Sequence, residues 1–332
     1  MDSTRLKRRL FAAAALSAFA VAIAGPGARA DLMEDARAAF EAGHREEAVK
    51  LLVQAAEKGD AKAQFRLGLL YERGRGVAPD EKKAVEWFLK AAMQGHSGAA
   101  NNLGYHYYVG RGVAQNYAEA FRWYSQAAQT HAEETRDESA AWANLASMYH
   151  WGRGTKKDDK KAREFYLKAA ERDNPYAENN LAYLYEHGLG GAPDAAEAAR
   201  WYRKAADQGF SFAQGNLGVV YENGRGVKHD DAQAEAWSRK AAQQGDRFAQ
   251  IRLARAAERG RGRDKDLVEA YKWYLLASKA GDAFAGHSLE RLATVMTPAQ
   301  VAEATKRAGA MESPTPQAVP AASTAPAEAT HE

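Results

Sequence analysis

The chain has 332 residues, 27% of them charged, and no cysteine. Without cysteine, disulfide frameworks, thiolate nucleophiles and sulfur-ligated metal sites are excluded. The formal net charge is +3, but five basic residues and one acidic residue lie in the first 30 positions. The rest of the chain holds 41 basic and 42 acidic residues, a balance that argues against a nucleic-acid-binding protein.

Residues 1–30 have the pattern of a secretory signal peptide. Four basic residues precede an apolar or small-residue run over 10–24, and Ala28-Arg29-Ala30 fits a small-x-small cleavage site before Asp31. This run of 15 residues is shorter than the roughly 20 that a spanning helix needs, so we expect cleavage and no membrane insertion afterwards. The pair Arg8-Arg9 leaves twin-arginine export open beside the general route. The predicted location is the periplasm, with secretion as the alternative.

A repeated phrase dominates the rest of the chain. Its first complete copy reads Leu67-Gly68-x-x-Tyr71-x-x-Gly74-x-Gly76. Five further copies, spaced by 36 residues except for one step of 42, begin at Leu103, Leu145, Leu181, Leu217 and Leu253. A second phrase recurs with the same period from Leu51 to Trp273. It consists of an apolar or aromatic residue followed by paired or near-paired alanines. Two phrases with one period indicate a repeat protein.

Each repeat reads as two helices. Ala63, Leu67 and Tyr71 share one face of the first helix at the spacing of an α-helix. The second helix opens at a residue that caps free N–H groups, namely Asp80, Asn116, Asp158, Asp194, Asp230 and Asp266. One such hairpin cannot bury its apolar face alone, so neighbouring repeats must stack. The predicted fold class is all-α, a right-handed α/α solenoid with a concave inner groove.

The phrase running from Ala63-Gln64 through Gly95, and again from Ala213-Gln214 through Gly245, resembles the Sel1-like repeat, a relative of the tetratricopeptide repeat. The resemblance covers residues 60–282, about two-thirds of the chain. It implies a superhelix of stacked hairpins. Bacterial members of this family, several of them exported, are typically adaptor or regulatory modules, so the resemblance implies a bound partner rather than a reaction.

The predicted organisation has five parts. These are a signal peptide over 1–30, an irregular N-terminal helical hairpin over 31–59, six Sel1-like repeats over 60–282, C-terminal capping helices over 283–311 and a disordered Pro/Ala-rich tail over 312–332. Thr297-Pro298 has the residues of a cap and a first helical position. The six extra residues before Leu145 fall within the charged stretch 131–139, where they lengthen a helix end or a loop.

Catalytic signatures are not found in the sequence. It lacks the metalloprotease His-Glu-x-x-His, the phosphate-binding P-loop and the Gly-x-Ser-x-Gly nucleophile. His150 and His187 occupy equivalent ends of neighbouring helices, but no acidic or cysteine ligand accompanies them. We therefore expect no enzymatic activity, no cofactor and no metal ion. A glutamate column, comprising Glu72, Glu186, Glu222 and Glu258, indicates either a solvated face or a negative rim for a basic partner.

The candidate binding residues lie one position before each leucine of the first helix. They are Arg66, Asn102, Asn144, Asn180, Asn216 and Arg252. By resemblance to tetratricopeptide superhelices, asparagine here lines the concave groove, where its amide matches the main chain of an extended peptide and arginine suits carboxylates. Tyr105 and Tyr183, three positions further along, are the predicted aromatic anchors. The alternative is that these asparagines bond a neighbouring loop and serve the fold.

Three functions follow from these patterns. The leading hypothesis is a periplasmic scaffold that holds a protein or extended peptide in its concave groove and regulates an envelope signalling or assembly partner. The first alternative is an accessory protein that binds cell-wall glycan (peptidoglycan), for which Trp142 and Trp151 are off-pattern candidates. The second alternative is a hydrolase. A hydrolase needs a pair of carboxylates in a cleft, and the sequence does not indicate such a pair.

Overall fold

The computed structural model describes residues 31–129, 136–260 and 264–311. Within these ranges the chain forms 16 helices and no strand. The signal peptide and the tail that the sequence predicts lie outside the described residues. Among the helices described, none combines the length and the apolar character needed to cross a membrane.

The helices are numbered here in chain order. They are α1 (Leu32–Glu41), α2 (Arg45–Glu57), α3 (Ala61–Arg73), α4 (Glu81–Met93), α5 (Ser97–Val109), α6 (Tyr117–Gln129), α7 (Arg136–Trp151), α8 (Asp159–Ala170), α9 (Pro175–Glu186), α10 (Ala195–Asp207), α11 (Ser211–Asn223), α12 (Asp231–Gln243), α13 (Arg247–Arg259), α14 (Leu267–Lys279), α15 (Ala283–Ala293) and α16 (Pro298–Gly309).

Consecutive helices pair into hairpins, and each hairpin packs against the next. The complete units run from α3–α4 to α13–α14, with α1–α2 before them and α15–α16 after them. The first helices of neighbouring units also touch directly, as α5 touches α7 and α11 touches α13, which places the first helices on the inner side of the stack. The predicted α/α solenoid is confirmed.

The second helices begin at the predicted capping residues. Asp80 accepts the backbone N–H of Lys83 at 3.1 Å, and Asn116, Asp158, Asp194, Asp230 and Asp266 cap their helices in the same way. These oxygens satisfy N–H groups that have no partner inside the helix. Thr297 caps α16 through a reciprocal pair of bonds with Gln300, as a capping box does.

The core lies between the two helices of each unit and between neighbouring units. Alanines and aromatic rings of the second helices fill it, as Ala84 and Phe88 do in α4. Gly68 of α3 faces Phe88, and a Cβ there would lie 2.5 Å from the ring. The missing side chain therefore lets the two helices approach closely.

The second glycine of each turn joins one unit to the one before it. Gly226 has a left-handed φ of 69°, and a Cβ at this position would overlap the carbonyl oxygen of Ala195, the first residue of α10. Equivalent contacts join Gly112 to Glu81, Gly154 to Tyr117 and Gly190 to Asp159. The turn glycine is thus required by the stacking as well as by its own backbone angle.

The extra residues of the third complete unit fall at the start of its first helix. Residues 130–135 lie outside the described ranges, and α7 begins at Arg136. It has 16 residues, whereas α5 has 13 and α9 has 12. Part of the insertion therefore lengthens the amino-terminal end of this helix.

Candidate functional site

A stripe of incompletely buried residues runs along the inner side of the first helices. In α11 it consists of Phe212, Asn216 and Val219, which are spaced by four and three positions and so share one face. The residues on either side of the stripe, such as Ala213 and Leu217, are fully buried. This stripe, called the inner stripe below, is the candidate binding surface of the stacked units.

The predicted ladder residues occupy the position of Asn216 in their own first helices, but their exposure and partners differ. Arg66 is exposed, Asn102 is partly exposed, and Asn144 is only 6% exposed. The Nδ2 of Asn144 donates to the Oδ1 of Asn101 on the preceding first helix at 3.0 Å. This bond links two units, so the Asn144 amide takes part in the stacking. Its role in peptide binding stays a prediction.

Other ladder residues also have partners within the protein. Asn216 Nδ2 donates to Asn179 Oδ1 at 3.0 Å, across the same kind of boundary between units. Asn180 Nδ2 donates to the carbonyl oxygen of Tyr176 at 2.8 Å, within its own helix. The sequence could not reveal the two bonds between units because their acceptors, Asn101 and Asn179, lie at a position that varies from repeat to repeat.

Arg252 is also anchored to the unit before it. Its Nη1 donates to the carbonyl oxygen of Gly215 at 2.8 Å and to Ser238 Oγ at 3.0 Å, while its Nε lies 3.8 Å from Glu222 Oε2. Desolvation lowers the pKa of the Arg252 guanidinium, and the nearby carboxylates of Glu222 and Asp246 oppose that effect. The guanidinium is therefore a partly buried cation whose hydrogen bonds and charges come from the unit before it.

An aromatic patch, formed by Tyr183, His150, His187 and Trp151, lies near the middle of the inner stripe. Tyr183, a predicted anchor, has its ring centroid 4.2 Å from that of His187 and 6.3 Å from that of His150. Trp151 is 41% exposed and meets His150 edge-on at 4.6 Å. The two histidines thus bracket Tyr183. Across the described residues, no three potential ligand side chains come together as a metal site would require. Tyr105, the other predicted anchor, is partly exposed on α5.

Trp142 makes a hydrogen bond between units that its sequence position did not indicate. One carbonyl in the last turn of the second helix accepts a side-chain donor in six units. The donor–acceptor pairs are Gln64 to Ala56, Gln126 to Ala92, Trp142 to Ala128, Lys204 to Ala170, Gln214 to Ala206 and Gln250 to Ala242. Several of these carbonyls also accept a backbone N–H of the following turn, as Ala56 accepts that of Gly59 at 3.1 Å, and the next unit adds the side-chain donor. The Ala-Gln phrase of the repeat was the signal for this link.

Glu178 stands where other units have the donating glutamine. Its side chain is fully buried, and Lys204 Nζ lies 3.0 Å from its Oε1. Burial raises the pKa of the Glu178 carboxyl, and the hydrogen bond and charge of Lys204 act against that rise. Because a carboxylate cannot donate to the Ala170 carbonyl, Lys204 makes that bond instead, at 3.0 Å. One lysine thus balances the buried charge and caps the helix.

Glutamates of the glutamate column pair with arginines of the next unit. Glu258 accepts from Arg291 Nη1 at 2.6 Å and from the Tyr274 hydroxyl at 3.1 Å. The hydrogen bond from Arg291 holds the pKa of the Glu258 carboxyl below its usual value. Glu186 is placed in the same way between Arg225 and Tyr202. These carboxylates are partly buried and paired, which fits neither a solvated face nor a rim left open to a basic partner.

A cavity of about 320 Å³ opens on the inner side between α11 and α13. Arg252, Arg255 and Arg259 line it together with Phe248, Ile251, Ala256 and Glu222. Of these residues, the repeat pattern in the sequence indicated Arg252 alone. The other two arginines follow it at the three- and four-residue steps of one helix face, and that spacing was the available signal.

Comparison with protein families finds seven stretches that match the Sel1 repeat. They cover residues 45–60, 61–96, 97–129, 139–174, 175–210, 211–246 and 247–282, more than half of the chain. The chain belongs to the Sel1 repeat family. Six of these stretches correspond to the complete units α3–α4 to α13–α14, and the seventh, 45–60, covers α2. Sel1 repeat proteins generally mediate protein–protein interaction, and the family is typically non-catalytic.

Two solved structures share the architecture of this Sel1 repeat protein. One is a protective antigen present in uropathogenic Escherichia coli strains that displays an SLR fold, with 28% identity, a TM-score of 0.70 and coverage of 94% of this chain. The alignment spans only 65% of the antigen's own chain. The other is a Sel1 repeat protein from Oxalobacter formigenes, with 29% identity, a TM-score of 0.68 and coverage of 75% of this chain and 97% of that one. A search of curated proteins found no match.

Proposed function

We propose that this Sel1 repeat protein is an exported adaptor that holds a protein partner along its inner stripe, and that it carries out no catalysis. The observation that carries the proposal is the aromatic patch. Trp123, Trp201 and Trp273 are at most 5% exposed because they form the core, whereas Trp151 is 41% exposed beside Tyr183. Exposed aromatic rings next to hydrogen-bonding side chains are typical of binding hot spots.

The location of the adaptor in the periplasm rests on the N-terminal sequence. Residues 1–30 combine a basic start, an apolar run and a small-residue cleavage pattern. The absence of cysteine also suits an oxidising compartment, because no thiol is available for unwanted disulfides. The partner in this proposal is an envelope protein involved in signalling or assembly.

A cell-wall glycan is the second candidate ligand, and the exposure of Trp151 is the observation that favours it. An indole face open to solvent offers apolar area on which a sugar ring can stack. Trp142, the other predicted residue, also makes a contact between units, because its N–H donates to the Ala128 carbonyl at 3.2 Å.

The test compares partner capture by three forms of the purified protein. They are the wild type, the double variant Trp151→Ala with Tyr183→Ala, and the control Phe40→Ala, whose ring is 40% exposed on α1. We expect the wild type and the control to retain one stoichiometric protein from an envelope fraction and the double variant to lose at least tenfold, as for a hot spot. Equal capture by all three forms contradicts the proposal. If instead the wild type sediments with purified peptidoglycan but captures no protein, and the double variant does not sediment, the patch is assigned to glycan.

A further inference from the structure

We infer that the carboxy-terminal part of the inner stripe is a separate docking site for an acidic segment of the partner, one in which apolar side chains alternate with carboxylates. This inference rests on the proposed adaptor function and adds the chemistry of the partner. Two columns of side chains on α11, α13 and α15 carry it, one aromatic and one basic. They are called the phenylalanine column and the arginine face below.

The phenylalanine column consists of Phe212, Phe248 and Phe284, at the same position of three consecutive first helices. Phe212 is 40% exposed and Phe284 is 45% exposed, which is unusual for large apolar side chains. The same position in the preceding units is occupied by Lys62, Gly98, Ala140 and Tyr176. An exposed aromatic column is therefore confined to this end of the solenoid.

The arginine face consists of Arg252, Arg255 and Arg259 on α13, beside the cavity of about 320 Å³. Arg252 is held by Gly215 and Ser238, so it forms the wall. The guanidinium carbon of Arg255 lies 4.4 Å from the Phe284 ring centroid, which brings the charge and the apolar column together. Among the described residues, neither Arg255 nor Arg259 makes an ion pair.

The acidic groups around the site are already engaged by other cations. Glu222 lines the cavity and lies 3.8 Å from Arg252 Nε. Asp282 lies 3.4 Å from Arg247, and Glu258 lies 2.6 Å from Arg291. The charges of Arg255 and Arg259 are therefore in excess at this surface. Because guanidinium groups bind carboxylates through paired hydrogen bonds, an acidic segment is the complementary ligand.

The spacing of the helices specifies the pattern of that segment. Packed helices lie about 10 Å apart, and a peptide in the extended polyproline II conformation rises about 3.1 Å per residue with three residues per turn. A polyproline II peptide that crosses from α11 to α15 therefore advances by about three residues per unit and turns every third side chain to the same face. Apolar residues at every third position would meet the phenylalanine column, and glutamate or aspartate between them would meet the arginine face.

The first arm of the experiment tests charge. The probe is a fluorescein-labelled peptide of three Leu-Glu-Glu repeats, and its dissociation constant is measured by fluorescence anisotropy. We expect Arg255→Glu with Arg259→Glu to weaken binding at least tenfold, and binding to weaken further as salt is raised. The control Lys82→Glu with Lys160→Glu makes the same charge change at exposed positions of α4 and α8 and should leave the constant unchanged.

The second arm tests the phenylalanine column with the same probe. Phe212→Ala with Phe284→Ala should weaken binding several-fold, while Phe40→Ala, which removes an equally exposed ring from α1, should not change it. Circular dichroism of every variant confirms that the helices are retained. These substitutions lie on the surface, so folding is expected to be preserved.

Several results would overturn the inference. They are no binding of the probe to the wild type, equal affinity for a Leu-Gln-Gln version, equal affinity of the arginine variant, and displacement of the probe by a deoxythymidine oligonucleotide of the same charge. The last result would assign the surface to nucleic acid. Capture of the envelope partner separates this inference from the adaptor function. If the Arg255 and Arg259 variant captures the partner normally, only this docking site is wrong, whereas a wild type that captures nothing contradicts the adaptor itself.

Discussion

The indole N–H of Trp142 donates to the carbonyl oxygen of Ala128 at 3.2 Å, which is the bond that Gln64 makes to Ala56 at 3.0 Å in the first complete unit. Where the glutamine position holds Ala100, the donor comes instead from Gln126 on the second helix. At six boundaries between units, the same helix-end carbonyl thus accepts a hydrogen bond from whichever side-chain donor the next unit places nearby.

Removing that donor should weaken the central boundary. Trp142→Phe keeps the aromatic ring but leaves the Ala128 carbonyl without its side-chain partner, so we expect a loss of about 1 kcal/mol in the free energy of unfolding. Urea denaturation followed by circular dichroism measures it. The control Trp151→Phe alters an exposed ring and should leave stability unchanged. Equal stability of the two variants would show that the bond contributes nothing.

Replacing Lys204 by methionine should destabilise the protein, and a second change should restore it. The single variant leaves the fully buried Glu178 carboxylate without its cation and the Ala170 carbonyl without its donor. We expect a loss of about 2 kcal/mol, below the usual cost for a buried pair because Lys204 is 37% exposed. Adding Glu178→Gln removes the charge and supplies the amide donor found in other units. A double variant no more stable than the single one would disprove this exchange.

The raised pKa of Glu178 also predicts a pH dependence. Burial raises this pKa above the ordinary value of 4.5, so the folded protein binds the proton more tightly than the unfolded chain does. The stability that this proton contributes is fully present below the unfolded pKa and is lost as pH rises through the folded pKa. Glu178→Gln lacks this loss, so its stability relative to the wild type should increase as pH is raised above 4.5. Urea denaturation of both proteins from pH 4 upward measures the difference in their free energies of unfolding. A difference that stays constant or shrinks as pH rises would contradict the interpretation.

Much of the fold was predictable because packing imposes a strict period on the sequence. The helices, their caps and the buried alanines recur every 36 residues, apart from one step of 42. The bonds between units were not predictable, because Asn144 finds Asn101 only through the way two units are stacked. The same holds for Trp142, which read as an off-pattern aromatic although it fills the glutamine position. The arginine face could be predicted in part, because Arg255 and Arg259 share a helix face with Arg252. Its cavity could not be predicted, because it depends on the neighbouring helix α11.

Two glycines with similar backbone angles should respond differently to substitution. Gly226 and Gly245 have φ values of 69° and 88°, but only Gly226 has a neighbour, the Ala195 carbonyl, where a Cβ would sit. Gly245→Ala should cost about 1 kcal/mol through backbone strain alone. Gly226→Ala should cost roughly 3 kcal/mol because it also forces two units apart. Thermal and urea denaturation compare the two, and an equal loss would mean that the contact between units is not tight.

Site-specific photo-crosslinking tests the use of the inner stripe most directly. A photoreactive phenylalanine is placed at Tyr105 or Tyr183 on the inner side, or at Met93 or Glu164 on exposed surfaces of second helices. We expect irradiation in an envelope extract to attach the same partner protein at both inner positions and at neither outer one. Attachment at Met93 or Glu164, with none at Tyr105 and Tyr183, would contradict the assignment of the binding surface to the inner side.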